Sequence, residues 1–110
     1  MTKIKYKIGQ RIEVTMSGHA LAEREGGHDL CCAAASMLAY TLMKAIDDLP
    51  LKDKVICFSD GFAHVGFSSK GKKAHQAESA VNAVLGGFRL LKREYPNNIS
   101  IINKEEAEHE

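Results

Sequence analysis

The stretch Lys3-Ile4-Lys5-Tyr6-Lys7-Ile8-Gly9-Gln10-Arg11-Ile12-Glu13-Val14-Thr15-Met16 alternates apolar and polar residues on both sides of Gly9-Gln10. Period two is the strand period, in which successive side chains point to opposite faces. Ile4, Tyr6 and Ile8, with Ile12, Val14 and Met16, therefore define one face; Lys3, Lys5, Lys7, Arg11 and Glu13 define a solvated one. The two runs are expected to form an antiparallel hairpin, with Gly9 as the first of two loop residues in a type II′ turn. The second strand should end near Gly18-His19. A strand pair with one apolar face needs a covering layer.

The layer lies outward from the hairpin. Leu30 to about Asp47 has no Gly or Pro and is rich in Ala, Leu and Met, with Pro50 just beyond it. Ala34, Leu38, Thr41/Leu42 and Ala45 follow helical spacing. Val55-Ile56-Cys57-Phe58-Ser59 and Phe62-Ala63-His64-Val65-Gly66-Phe67 flank Asp60-Gly61, a strong hairpin signal. After the basic turn Lys70-Gly71-Lys72-Lys73, Ala77, Val81, Val84, Phe88, Leu91 and Tyr95 form a long amphipathic stripe. Gly86-Gly87 within it costs roughly 1–2 kcal/mol of helix propensity, which points to a close approach of a helix or the sheet. Pro96-Asn97-Asn98 ends that helix, and Ile99-Ser100-Ile101-Ile102 reads as a last short strand. The expected fold is α/β (α+β): a two-layer sandwich of ββαββαβ order, with a mostly antiparallel sheet and two long helices on one face. Residues 1–110 fit a single domain, with 104–110 a frayed charged tail.

At 110 residues the chain can bury a core without staples, but it is too small for a large enclosed site, so a shallow groove is expected. A formal charge of +1 argues against a nucleic-acid footprint, and Lys70, Lys72 and Lys73 read as a solvated turn. The apolar stretch Leu30 to Met43 is interrupted by Ser36, Tyr40 and Thr41 and is expected to lack the length and uniformity of a membrane span. The first residues carry no apolar signal core. Three cysteines, two of them adjacent, suit a reducing compartment, so the chain reads as cytoplasmic.

The chemistry is concentrated in two places, His19 within Ser17-Gly18-His19-Ala20 and Cys32 within Asp29-Leu30-Cys31-Cys32-Ala33-Ala34-Ala35-Ser36. An imidazole can take a thiol proton and return it to a leaving amine, so a Cys and a His brought together suffice for nucleophilic catalysis. Asp29 is a good helix N-cap, which would make Cys32 the third helical residue. Unpaired N–H groups of a first turn favour thiolate and can hold an oxyanion. Cys31 lies about 100° around the axis from Cys32 and is expected to pack in the core. Cys57 is expected to be buried and inert, and His64 and His75 to be ordinary polar residues. Ser36 sits one turn after Cys32, on the same face. The charged, Gly-bearing segment Ala20 to His28 reads as a mobile loop able to cover a substrate. His19, His28, Cys31 and Cys32 could be drawn as a zinc cluster, but adjacent cysteines seldom share a tetrahedral ion and no CxxC or HxxxH spacing is present, so no metal is expected.

Gly18-His19-Ala20, a Gly-bearing loop, and then Asp29 through Ser36 resemble the signature of the bacterial ribosomal-processing cysteine proteases. That signature reads approximately Gly-His-Ala, a short loop, then Asp-Ile-Val-Cys-Ala-Ala-Val-Ser. Cys31 stands where the family usually has an aliphatic residue. The resemblance implies that His19 and Cys32 are the catalytic pair, with Gly18, Asp29 and Ser36 as supporting motif positions and no cofactor. It implies an endopeptidase that removes a short N-terminal extension from a large-subunit ribosomal protein, cutting after an aromatic pair, and it points to a homodimer. A ribosome-associated binding module without catalysis, using the loop and Lys70–Lys73, is the alternative from a different class.

Overall fold

The computed structural model describes residues 1–18 and 30–105. The elements follow the expected order: β1 (Thr2–Ile8), β2 (Arg11–Ser17), α1 (Leu30–Asp47), β3 (Val55–Ser59), β4 (Phe62–Ser68), α2 (Ala74–Glu94) and β5 (Ile99–Asn103). The strands form one five-stranded sheet in the order β3-β4-β2-β1-β5. Every neighbouring pair is antiparallel except β1 with β5, which is parallel. The segment 19–29 lies outside the described residues, as does 106–110, most of the expected frayed tail.

Register puts the apolar positions on one face. Ile4 pairs with Met16, Ile12 with Phe67, Val14 with Val65 and Met16 with Ala63, and all of these are buried. Both helices cover that face: α1 contributes Cys31, Ala35, Leu42 and Ile46 to the core, and α2 contributes Ala77, Val81, Val84, Leu85 and Phe88. Fully buried side chains such as Phe67, Phe88 and Leu42 each stabilise the fold by about 1.5–3 kcal/mol. The opposite face carries the exposed Lys3 and Lys5, as the alternation predicted.

Four expectations need correction. The first hairpin does not close through a type II′ turn: Ile8 pairs with Ile12, and Gly9 does not take the positive φ that such a turn requires. The Gln10 carbonyl instead accepts bonds from Ser69 N (2.9 Å) and Ser69 Oγ (2.8 Å), which ties the turn to the end of β4. The buried line of α1 is Cys31-Ala35-Leu42-Ile46; of the expected Ala34, Leu38, Thr41/Leu42 and Ala45 it includes Leu42, and the others lie beside it. Ala34 and Leu38 line a cleft against α2, because a helix that meets both a sheet and a second helix has an apolar arc wider than one stripe. Cys57 is exposed, since β3 is an edge strand and four of its five residues are open to solvent. By length and composition α1 would suit a membrane span, with 18 residues at mean hydropathy 1.3, although its inner line is packed in the core.

Only Gly87 of the helical glycine pair serves close packing. A Cβ there would meet Leu38 Cδ2 at 2.6 Å, whereas one on Gly86 would meet nothing within 4 Å. The C-terminal end of α1 is held by Lys54, whose Nζ donates to the carbonyls of Asp47 (3.0 Å), Leu49 (2.9 Å) and Ile46 (3.5 Å). These are helix-end acceptors with few partners in the helix itself.

Candidate active site

α1 begins at Leu30, so Cys32 is its third residue, in the first turn where backbone N–H groups lack helical acceptors. Its neighbour Cys31 has no solvent exposure, whereas Cys32 is half-buried. Burial pushes the Cys31 thiol up from 9.0; the nearby Cys32 adds to the rise, and the positive chain N-terminus partly offsets it. Cys31 therefore holds its proton more tightly than an ordinary thiol and has no access to substrate. The expected division of labour between the adjacent cysteines is the one observed: Cys31 packs and Cys32 faces outward.

Cys32 opens onto a groove of about 100 Å³ between α1 and the sheet. Ser36 and Tyr40 continue its helical wall, Ser17 and Gly18 close the β2 end, and the β3–β4 turn from Ser59 to Phe62 forms the facing wall. Ala35, Ala63 and Phe88, all buried, lie beneath it. Gly18 is the strictest position in this frame. It takes φ 90°, its N–H donates to the Gly61 carbonyl at 2.9 Å, and a Cβ would collide with the Met1 carbonyl oxygen. Gly61 also has positive φ, 72°, at the tip of the second hairpin. The β2 end and the β3–β4 turn are thus joined backbone to backbone beside Cys32.

Of the sequence-predicted site residues, Gly18, Cys32 and Ser36 share this groove. His19 and Asp29 lie outside the described residues, as does the loop expected to cover a substrate. The Ser36 hydroxyl has no hydrogen-bond partner among the described residues. His64 directly follows the groove residue Ala63 in β4 but lies on the sheet face away from the helices, where its Nδ1 pairs with Thr15 Oγ1 at 2.8 Å. Sequence reasoning missed Tyr40 and Phe58 as groove residues. The signal for Tyr40 was its spacing, two four-residue steps from Cys32; Phe58 gave no local signal. A larger cleft of about 440 Å³ between the helices is lined by Ala34, Met37, Leu38, Gly87, Leu90, Leu91 and Glu94. Its lining has no cysteine, serine or histidine, whereas the smaller groove holds Cys32 and Ser36.

A half-exposed thiol in the first turn of a long helix, opening onto a groove walled by backbone, is an arrangement suited to a thiol-dependent hydrolase built on an α+β sandwich. The chain belongs to the family described as cysteine protease Prp, whose model matches residues 1–100. It is a cysteine peptidase, which sets aside the reading as a binding module without catalysis. The ribosomal processing cysteine protease Prp of Staphylococcus aureus (strain Mu50) is 29% identical over 93 residues, 84% of this chain and 87% of that protein. The crystal structure of S. aureus Prp with a covalently linked product peptide superposes with TM-score 0.76 at 24% identity, covering 94% of this chain and 99% of that one. The same enzyme with a substrate peptide gives TM-score 0.72 at 23% identity over 94% and 99% of the two chains. These superpositions establish the shared fold.

Proposed function

We propose that this chain is an endopeptidase that removes a short N-terminal extension from a large-subunit ribosomal protein, with Cys32 as nucleophile and His19 as general base. The carrying observation is the contrast between the two adjacent thiols: Cys32 lines the groove from the first turn of α1, while Cys31 is sealed in the core with its proton held. The name of the S. aureus relative, a ribosomal processing protease, and its complex with a substrate peptide support the substrate class.

In this mechanism His19 takes the Cys32 proton and the thiolate attacks the scissile carbonyl carbon. The N–H groups of the first turn of α1 hold the developing oxyanion. The C–N bond breaks as the imidazolium returns its proton to the leaving amine, and water then cleaves the thioester to restore the thiol. Asp29 and Ser36 serve as supporting positions of the motif, and Gly18 fixes the chain immediately before the base. The step needs no cofactor. The enzyme acts in the cytoplasm as a homodimer, an assembly supported by the exposed Val55 on edge strand β3.

The test is incubation with a synthetic peptide spanning the N-terminal extension of the host ribosomal protein, read by mass spectrometry. Cleavage at one bond, lost in Cys32→Ala and His19→Ala but kept in Cys31→Ala, is the expected result. Activity that survives Cys32→Ala and disappears in a folded Cys31→Ala protein would overturn the nucleophile assignment.

A further inference from the structure

Cys32, Ser36 and Tyr40 succeed one another at four-residue intervals on α1 and all line the groove. At about 1.5 Å per residue, Tyr40 lies about 12 Å along the helix from the nucleophile. Phe58 meets it from the facing wall, with ring centroids 5.5 Å apart and planes tilted by 60°. Phe58 pairs with the buried Ala63 in the β3–β4 ladder, which puts its side chain on the helix-covered face of the sheet. A tilted aromatic pair at this distance is a favourable contact, and inside a core it would be covered. Here Tyr40 is 48% and Phe58 58% exposed. Single exposed aromatics are ordinary on a protein surface. Two in mutual contact, in the groove that holds the reactive thiol, form an apolar platform already in place for a ligand.

We infer that Tyr40 and Phe58 form a distal subsite of the peptidase, gripping an apolar side chain of the substrate three or four residues from the scissile bond. The position follows from the spacing: an extended peptide advances about 3.3 Å per residue, so 12 Å of helix corresponds to between three and four residues. The inference rests on the peptidase reading with Cys32 as nucleophile. Ser36 lies between the two ends of the groove, and its hydroxyl is available to the intervening peptide backbone. A charged side chain at the distal position would have to shed water against two rings without a partner, so the subsite selects apolar over charged residues.

The experiment uses fluorescein-labelled peptides with a central Phe-Phe pair in a Ser/Gly background. Leu or Asp is placed in turn at the third and fourth residues on either side of the bond after that pair. Binding is measured by anisotropy to the Cys32→Ala protein, which cannot turn the peptides over, and cleavage is measured with the wild-type protein. At one or both positions on one side, Leu should bind about tenfold or more tightly than Asp. Adding Tyr40→Ala or Phe58→Ala should bring that ratio to within about threefold, and Tyr40→Lys should turn the preference toward Asp. Both side chains are about half exposed, so the variants should stay folded with urea midpoints only slightly below wild type. Equal affinity for Leu and Asp at all four positions would overturn the subsite, as would a Leu preference that survives Tyr40→Lys. A Leu preference carried by these rings, in a protein that cleaves none of the peptides, would support the subsite and count against the proposed substrate. Cleavage without any Leu/Asp discrimination would do the reverse.

Discussion

Replacing each residue of the Gly86-Gly87 pair by alanine should have two different outcomes, and the structure sets both signs. In a helix interior Gly→Ala gains about 0.8–1 kcal/mol from reduced backbone entropy in the unfolded chain. At Gly86 nothing opposes that gain, since a new Cβ meets no atom within 4 Å. Gly86→Ala should therefore stabilise the protein by about 1 kcal/mol and raise Tm by about 4–6 °C. At Gly87 the new Cβ would lie 2.6 Å from Leu38 Cδ2. Leu38 must then move its terminal methyl group by about 1 Å, at a cost of about 0.5–1.5 kcal/mol for an off-rotamer side chain. Leu38 can move because it borders the open cleft between the helices. The two effects offset each other, and Gly87→Ala should fall within about 0.5 kcal/mol of wild type. Urea denaturation of the three proteins, fitted with a common slope, measures the differences. A destabilising Gly86→Ala would refute the reasoning, because it would mean that this face of α2 is closely covered.

Lys54→Met should destabilise by about 1–2 kcal/mol, since it removes a charged donor from carbonyls at the end of α1, and urea midpoints would show it. In the native protein a thiol reagent such as Ellman's should titrate Cys32 and Cys57 but not Cys31, with all three reacting in denaturant. Because burial raises the Cys31 thiol above 9.0, the folded state binds this proton more tightly than the unfolded state. That contribution to stability is intact below pH 9.0 and declines as pH rises toward the folded-state value, so wild type should lose more stability above pH 9.0 than Cys31→Val. Light scattering at micromolar concentration should give twice the mass of one chain; a clean single-chain mass would remove the dimer.

Most elements were legible because their signals are local. The alternation from Lys3 to Met16, the Gly- and Pro-free run from Leu30 to Asp47, and the stripe from Ala77 to Tyr95 each carry their own period. The separation of Cys31 from Cys32 was legible for the same reason, since 100° of helix rotation divides neighbours between two environments. What escaped depends on partners distant in sequence. Alternation around Cys57 looks the same in a central strand and at an edge; only the sheet order, with β3 outermost, exposes it. Parallel pairing of β5 with β1 joins Thr2 to Ile99, a register that no local pattern encodes. The contact of Tyr40 with Phe58 likewise links a helix to a strand beyond an intervening turn.

The backbone explains why the chemistry sits where it does. The proposed nucleophile, Cys32, would draw on the first-turn N–H groups at the start of α1, and it would need a facing wall that does not yield when a peptide enters. That wall is fixed by two glycines, Gly18 at φ 90° and Gly61 at φ 72°, joined through Gly18 N–H and the Gly61 carbonyl at 2.9 Å. Neither position tolerates a side chain without strain, and at Gly18 a Cβ would also strike the Met1 carbonyl. Gly18→Ala should therefore shift the end of β2, immediately before His19, and reduce kcat/KM for peptide cleavage at least tenfold, in line with the sensitivity of catalysis to misplacement of about 1 Å. Stability should fall as well, because the Met1 carbonyl shares its peptide group with Thr2 N, which donates to the Asn98 carbonyl at 2.9 Å and holds it in place. An enzyme that keeps full activity as Gly18→Ala would show that the β2 end does not position the base, and would shift that role onto the segment that follows.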